Sequence, residues 1–331
     1  RMKFVILILV LNICFVFSNK SSCGCSISRQ QGGNKNNVFL SYYNKDTQQC
    51  QLNDYLINIH GFKAPEMILV PGGRYQFGTD DVVTESDKEG PKRIVTLKSF
   101  YLDKYEVSNE DFGKFISATG YRSEAEVFGD SFVFSIFLND SFRGELVDFR
   151  VVQAPWWYKV KGASWKHPHG PDSDIANVMD HPVVHVSWGD ARAYCRWRGA
   201  RLPNEEEWEA ACRGGDQDIL YPWGDKLYPN KTHMANIWQG SFPNYNSKKD
   251  GFIGTCSVDH FQQNSLGFHN LAGNVWEWTE DTWSQPEEKV KKGGSYLCHR
   301  TYCFRYRCSA RSQNTQDSTA GNLGFRCAKT P

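Results

Sequence analysis

The chain has 331 residues, 40% hydrophobic and 23% charged, with 38 Lys+Arg against 37 Asp+Glu. These values exclude whole-chain disorder, a collagen-like rod and a multi-pass membrane protein, and the balanced charge argues for no nucleic-acid partner. Two counts stand out: 11 tryptophans and 11 cysteines, the latter an odd number that needs explaining.

Residues 2–18 read MKFVILILVLNICFVFS, with Lys3 ahead of an apolar run from Phe4 to Phe17 broken only by Asn12. A basic head and an apolar stretch of this length read as a signal peptide over 1–18. The run is shorter than the ~18–20 apolar residues that span a bilayer, and no later stretch approaches that length, so no membrane span is expected. Secretory targeting implies an oxidising compartment, where disulfides persist. Loss of Cys14 with the signal leaves an even number of cysteines. Sequons at Asn19, Asn139 and Asn230 fit the same route.

Residues 19–64 are rich in Asn, Gln, Ser, Lys and Gly and read as a loose extension. This segment carries Cys23-Gly24-Cys25 and Cys50. A Cys-x-Cys pair on such an arm suits thiol exchange with another protein or a simple local disulfide. The texture changes at Pro65. Strands are expected at Met67–Val70, Arg74–Gly78, Ile94–Leu97 and Phe100–Leu102. Ser108 caps a helix with Phe112, Phe115 and Ile116 on one face, ending at Gly120. Ser187 caps a second helix, with Gly199 as its stop. Asn204 caps a third, with Glu207 as capping-box partner and Gly214 as its end. From residue 214 onward Gly, Pro, Asn and Asp recur every few residues. The expectation is one compact α+β domain over 65–331, low in regular secondary structure, with loops packed on aromatics.

Cysteines concentrate in GGSYLCHRTYCFRYRC, residues 293–308, where Cys298, Cys303 and Cys308 lie five apart. Seven basic residues and no acid fall between Lys289 and Arg311, and nearby cations favour thiolate over thiol. Two thiolates would suit Cu(I) or Zn(II), with His299 as an added nitrogen ligand. Structural half-cystines account for the same spacing. The seven cysteines between Cys195 and Cys327 leave at least one unpaired within the domain.

That stretch, followed by ARSQNT and NLGFRCA, closely resembles the formylglycine-generating enzyme family, the sulfatase-modifying factors. The resemblance extends to YEVSNEDFGKFISATGY, FGDSFVF, APWW, KGASWKHPHGPDS, HPVVHVSWGDARAYC, RLPNEEEWEAACRGG and GFHNLAGNVWEWT. It covers about residues 65–329. The GNVWEWT and RLPxExEWE patterns are widespread in the superfamily, whereas the double-cysteine stretch marks its catalytic branch, and a paralogue lacks those cysteines.

The resemblance implies a fold related to C-type lectin-like domains. It also implies an enzyme that uses O2 to oxidise the cysteine of Cys-x-Pro-x-Arg motifs in newly made, unfolded sulfatases to Cα-formylglycine. Cys298 and Cys303 would be the catalytic pair and bind Cu(I), with Ser295, His299 and Tyr302 lining the site. Glu106 and Asp130 would receive the substrate arginine, and Trp156 would wall the cleft. Trp157, Trp276 and Trp278 read as core. Cys195–Cys327 and Cys212–Cys308 would be structural disulfides. Two Ca2+ sites are implied, one from Asn236, Ile237, Asp250 and Phe252, the other from Asn270, Gly273, Val275 and Glu277. Asn139 would be glycosylated. Cys23 and Cys25 would engage thiol-exchange or retention proteins in the lumen of the endoplasmic reticulum. Cys50 and Cys256 depart from the pattern, either paired with each other or with Cys256 as a buried thiol. The competing reading is a non-catalytic sulfatase-binding or lectin-like secretory module on the same scaffold.

Overall fold

The computed structural model describes residues 65–215 and 218–331. The expected signal peptide and extension, with Cys14, Cys23, Cys25, Cys50 and the sequon at Asn19, lie outside the described residues.

The described residues open with four short strands: β1 (Met67–Val70), β2 (Gly73–Phe77), β3 (Arg93–Leu97) and β4 (Phe100–Asp103). β2 and β3 form an antiparallel pair, while β1 pairs with β4. The other edge of β4 is taken by β11 (Ala328–Lys329), so the last residues of the chain complete the first sheet. β5 (Asp130–Phe134) and β6 (Trp157–Lys161) pair antiparallel, with Asp130 opposite Lys161. The largest sheet has the order β10-β7-β8-β9, from β7 (Trp276–Thr282), β8 (Glu288–Lys292), β9 (Arg311–Thr315) and β10 (Leu323–Gly324).

The three expected helices form where their caps place them. In α1 (Asn109–Thr119), Ser108 Oγ accepts the Asp111 N–H, and Gly120 ends the helix at φ 66°. A short α2 (Glu124–Phe128) and α3 (Asp140–Glu145) follow. α4 (Trp188–Trp197) starts on a Ser187/Asp190 capping box, and α5 (Glu205–Cys212) on the Asn204/Glu207 box. Each box satisfies two of the N–H groups a helix start leaves unpaired.

Aromatic rings fill the space that long elements would otherwise occupy. Phe112 meets Trp165 edge-on at 5.3 Å and stacks on Tyr194 at 5.9 Å. The main core gathers these rings with Trp157, Trp238, Trp276, Trp278, Cys298 and Cys303. A second core gathers side chains of the β1-β4-β11 sheet, the β2–β3 pair and α5, including Trp208 and Cys212. The expected structural disulfides are present: Cys195–Cys327 spans 132 residues and Cys212–Cys308 spans 96.

Buried charge is paired across long sequence distances. Arg326 is fully buried, and all five of its N–H groups are used. Nε and Nη2 donate to the two Glu277 oxygens at 2.7 Å each, Nη1 to the carbonyls of Asp103 and Lys104, and Nη2 also to that of His269. Asp103 holds Arg198 through two bonds and accepts the Cys327 N–H. His185 is buried at φ 60°. Its Nε2 donates to the Pro168 carbonyl at 2.8 Å, and its Nδ1 lies 2.7 Å from Ser131 Oγ, which also bonds Thr319 Oγ1.

Two predictions follow from this packing. Replacing both Cys195 and Cys327 by alanine should lower unfolding free energy by ~3–5 kcal/mol, read as a lowered denaturant midpoint. Burial depresses the His185 pKa to about 3. The unfolded imidazole binds its proton near pH 6.5, so this stability is present above that pH and is lost on acidification toward pH 3. The expected slope is about 1.4 kcal/mol per pH unit. Thermal unfolding across pH 4–6.5 should lose that slope in His185→Gln.

Candidate active site

The segment from Gly293 to Cys308 is a folded loop rather than a strand or helix. Gly294 sits at φ 71°, and a Cβ there would lie 3.0 Å from the Tyr306 nitrogen. Glycine is the residue that tolerates both conditions. Two turns follow. Cys298 N–H donates to the Ser295 carbonyl at 2.8 Å, and Cys303 N–H to that of His299 at 2.7 Å. They bring the Cys298 and Cys303 Cα atoms to 4.7 Å, and the two sulfurs are bonded as a third disulfide. Both residues are fully buried. Trp238 N–H, donating to the Cys298 carbonyl at 3.0 Å, ties the loop to the core.

The residues expected to line the pair are gathered here. Ser295 Oγ accepts from Asn322 Nδ2 at 3.0 Å. His299 is partly buried, which lowers its pKa and favours the neutral ring. Its Nδ1 accepts the Thr301 N–H, which leaves the ring proton on Nε2. Tyr302 stacks on Phe242 at 3.9 Å, and Trp156 meets Tyr302 edge-on at 5.1 Å. Trp156 is half-buried, whereas Trp157, Trp276 and Trp278 are buried in the core.

The expected acids behave differently. Glu106 is only 2% exposed and cannot meet a guanidinium at the surface. Its oxygens accept from Asn274 Nδ2 at 2.8 Å and Asn270 Nδ2 at 3.1 Å. Burial pushes its carboxyl up to about 8; Arg326 opposes the rise and the Glu277 charge adds to it. Asp130 is partly exposed and pairs with Lys159 at 3.2 Å. It lies at the far end of β5 from Phe134, which packs on Phe242. Four residues of strand separate those ends by about 13 Å.

The basic segment is also less basic in three dimensions than in sequence. Arg305 pairs with Asp87, Arg307 with Glu89, Arg311 with Glu205 and Lys292 with Glu209. Burial works against Glu89, yet the Arg307 guanidinium holds its carboxyl below the usual range. Arg300 is exposed. The thiolate-favouring field expected from the local sequence is therefore largely cancelled by acids brought from elsewhere in the chain.

Asp250 links residues of the first expected oxygen cluster. Asp250 accepts from the N–H groups of Ile237 and Phe252, and Asn236 donates to the Gly254 carbonyl at 2.8 Å. Carboxylate, amide and carbonyl oxygens of this kind suit a hard cation. Burial raises the Asp250 pKa, the condition that a bound cation would relieve. The second cluster is not assembled as expected. Asn270 Oδ1 is buried without a partner, which fits a ligand role. The Glu277 carboxylate, however, is held by Arg326 and by Trp208 Nε1 at 2.7 Å. Glu106 faces the Asn270 amide instead.

Cys256 is a buried thiol with no disulfide among the described residues, and burial pushes its pKa up. Asn139 is exposed and caps α3 through Oδ1, leaving its nitrogen at the surface. Sequence reasoning missed Asp87, Glu89, Phe242 and Asn322. Asp87 and Glu89 pair across 218 residues, and periodicity carries no signal over such a distance.

Comparison with known proteins places these observations. The model of the sulfatase-modifying factor enzyme 1-like domain matches residues 58–331. The formylglycine-generating enzyme of Mus musculus is 49% identical over 322 residues, covering 93% of this chain and 86% of that protein. The inactive C-alpha-formylglycine-generating enzyme 2 of Bos taurus is 47% identical over 267 residues, covering 79% of this chain and 87% of that protein. Among solved structures, PvdO from Pseudomonas aeruginosa superposes with a TM-score of 0.59 at 22% identity, covering 81% and 95% of the two chains, a likeness of fold alone. The chain belongs to the sulfatase-modifying factor enzyme 1-like family.

Proposed function

We propose that this chain activates sulfatases by oxidising the cysteine of a Cys-x-Pro-x-Arg motif to Cα-formylglycine, with O2 as oxidant and Cu(I) held by Cys298 and Cys303. Overall identity does not decide the matter, because relatives named as active and as inactive are about equally similar to this chain. The observation that carries the reading is the close, buried Cys298–Cys303 pair, in a loop whose Tyr302 packs on Phe242 and Trp156.

As a disulfide the pair offers no thiolate, so the site must first be reduced. The reduced pair is a soft two-sulfur donor set that fits Cu(I) and leaves room for the substrate thiolate. Bound copper would supply the one-electron chemistry that lets O2 react beside the substrate Cβ–H. Overall, one thiol and one O2, with two electrons and two protons from a thiol reductant, give the aldehyde, hydrogen sulfide and water. Ser295, oriented by Asn322, and the Nε2–H of His299 are hydrogen-bonding groups beside the pair. Asp130 receives the motif's arginine in exchange for Lys159, and buried Glu106 takes no part in that contact. Calcium at Asn236, Ile237, Asp250 and Phe252 would stabilise the loops through linkage; no role is derived for a second ion through Glu277.

The setting proposed is the lumen of the endoplasmic reticulum, with Cys23 and Cys25 engaging thiol-exchange or retention proteins and Asn139 glycosylated. No helix among the described residues is long and apolar enough to cross a membrane.

The test incubates purified protein with a Cys-x-Pro-x-Arg peptide, Cu(I), O2 and a thiol reductant. An aldehyde product is expected by mass and hydrazide capture, and it should be absent with Cys298→Ala. No aldehyde, or undiminished turnover in that variant, overturns the reading. Metal analysis should find one copper per chain in reduced protein, and loss of that copper in Cys303→Ala or in the oxidised protein.

A further inference from the structure

A pocket of about 190 Å³ lies beside the cysteine loop, and nothing in the proposed reaction uses it. Its apolar walls include Trp165, Ile175, Val178 and Tyr296. The volume is well below the ~300–1,000 Å³ of sites for drug-sized ligands, so it suits a single side chain.

The polar atoms of this pocket point to the chemistry of that side chain. Asn109 lines it and is only 3% exposed. Its Nδ2 donates to the Val178 carbonyl at 2.8 Å, which fixes the amide orientation, since a carbonyl can only accept. Oδ1 is therefore the other atom, and it is buried with no hydrogen-bond partner. A buried, unpaired acceptor costs roughly 1–3 kcal/mol, so this wall of the pocket gains from any donor that packs into it closely enough to reach Oδ1. Asp174 adds a carboxylate at the exposed margin, where its Oδ1 bonds the Ala176 N–H at 2.9 Å. His181 joins the lining, with Nδ1 on Thr255 Oγ1 at 2.8 Å. No lysine or arginine lines the pocket. A buried acceptor, an acid and aromatic walls without a cation together favour a positively charged donor.

The pocket is also joined to the cysteine site by touching rings. Tyr296 stands two residues before Cys298 and packs against Phe137 at 6.1 Å. Phe137 stacks on His169, another lining residue, at 4.2 Å and meets Phe134 at 6.5 Å. Phe134 packs on Phe242, the ring beneath Tyr302.

We propose that this pocket binds a lysine or arginine side chain of the substrate polypeptide at a position outside the motif whose cysteine is oxidised. The inference rests on the proposed function. The pocket adds binding shared by substrate and transition state, so it lowers KM and leaves kcat unchanged.

The test uses peptides carrying one Cys-x-Pro-x-Arg motif, with a single arginine scanned through the flanking positions on an alanine background. One position should raise kcat/KM about tenfold over the alanine peptide, through KM, the size expected of one charge-assisted bond. Glutamine at that position should not. Ile175→Trp, which fills the pocket, and Asp174→Asn, which removes its acid, should each erase the preference and leave turnover of the alanine peptide unchanged. Fluorescence anisotropy of the labelled peptides on Cys298→Ala should show the same preference without turnover. Oxidised peptides with no preference at any position, or a preference that survives both variants, overturn the pocket assignment and leave the proposed function standing. A binding preference without oxidation of any peptide does the reverse.

Discussion

Arg326 is the residue on which this fold turns. A guanidinium has five N–H groups and no means of losing its charge, so burying it demands five acceptors in fixed directions. Glu277 supplies two of them, from β7, and backbone carbonyls at Asp103, Lys104 and His269 supply the rest. One side chain thus sets the distances among the end of β4, the start of β7 and the loop before it. Its neighbour Cys327 adds a covalent tie to α4 and donates its N–H to Asp103, which grips Arg198. Removing either charge of the Arg326–Glu277 pair would strand the other in the core, a far larger loss than an exposed pair causes.

The arrangement makes sense of a domain with so little regular structure. Loops cannot satisfy their own buried groups through a repeating ladder, so partners must come from far along the chain. The cysteine loop is held in this way. Arg305 and Arg307 reach Asp87 and Glu89, and Gly294 allows the backbone to pass close to Tyr306. The aromatic excess serves the same end, since large rings cover area with few torsions to freeze.

Local features were therefore legible and long-range ones were not. Ser108, Ser187 and Asn204 announced their helices because a cap acts within four residues. Cys298, Cys303, Ser295, His299 and Tyr302 could be read as a candidate site because they share one stretch of chain, and the roles proposed for them come from the resemblance. Glu106 was misjudged because its motif does not reveal that Asn270 and Asn274 enclose it. The basic stretch from Lys289 to Arg311 misled for a related reason. A charge count along the chain cannot register acids more than two hundred residues away. The pocket around Asn109 was invisible, since its walls come from α1, the segment 165–184 and the loops at Thr255 and Tyr296.

The covering of the Cys298–Cys303 sulfurs has a kinetic meaning. Thiol exchange requires a thiolate to approach a disulfide sulfur directly, and both cysteines here are fully buried. The loop cannot swing out as a unit, because Trp238 fastens it at Cys298 while Asp87 and Glu89 fasten its far end. Reduction of the pair therefore requires a local opening of the packing around it. Such an opening need be only small for a compact thiol, and must be far larger for a folded redox protein.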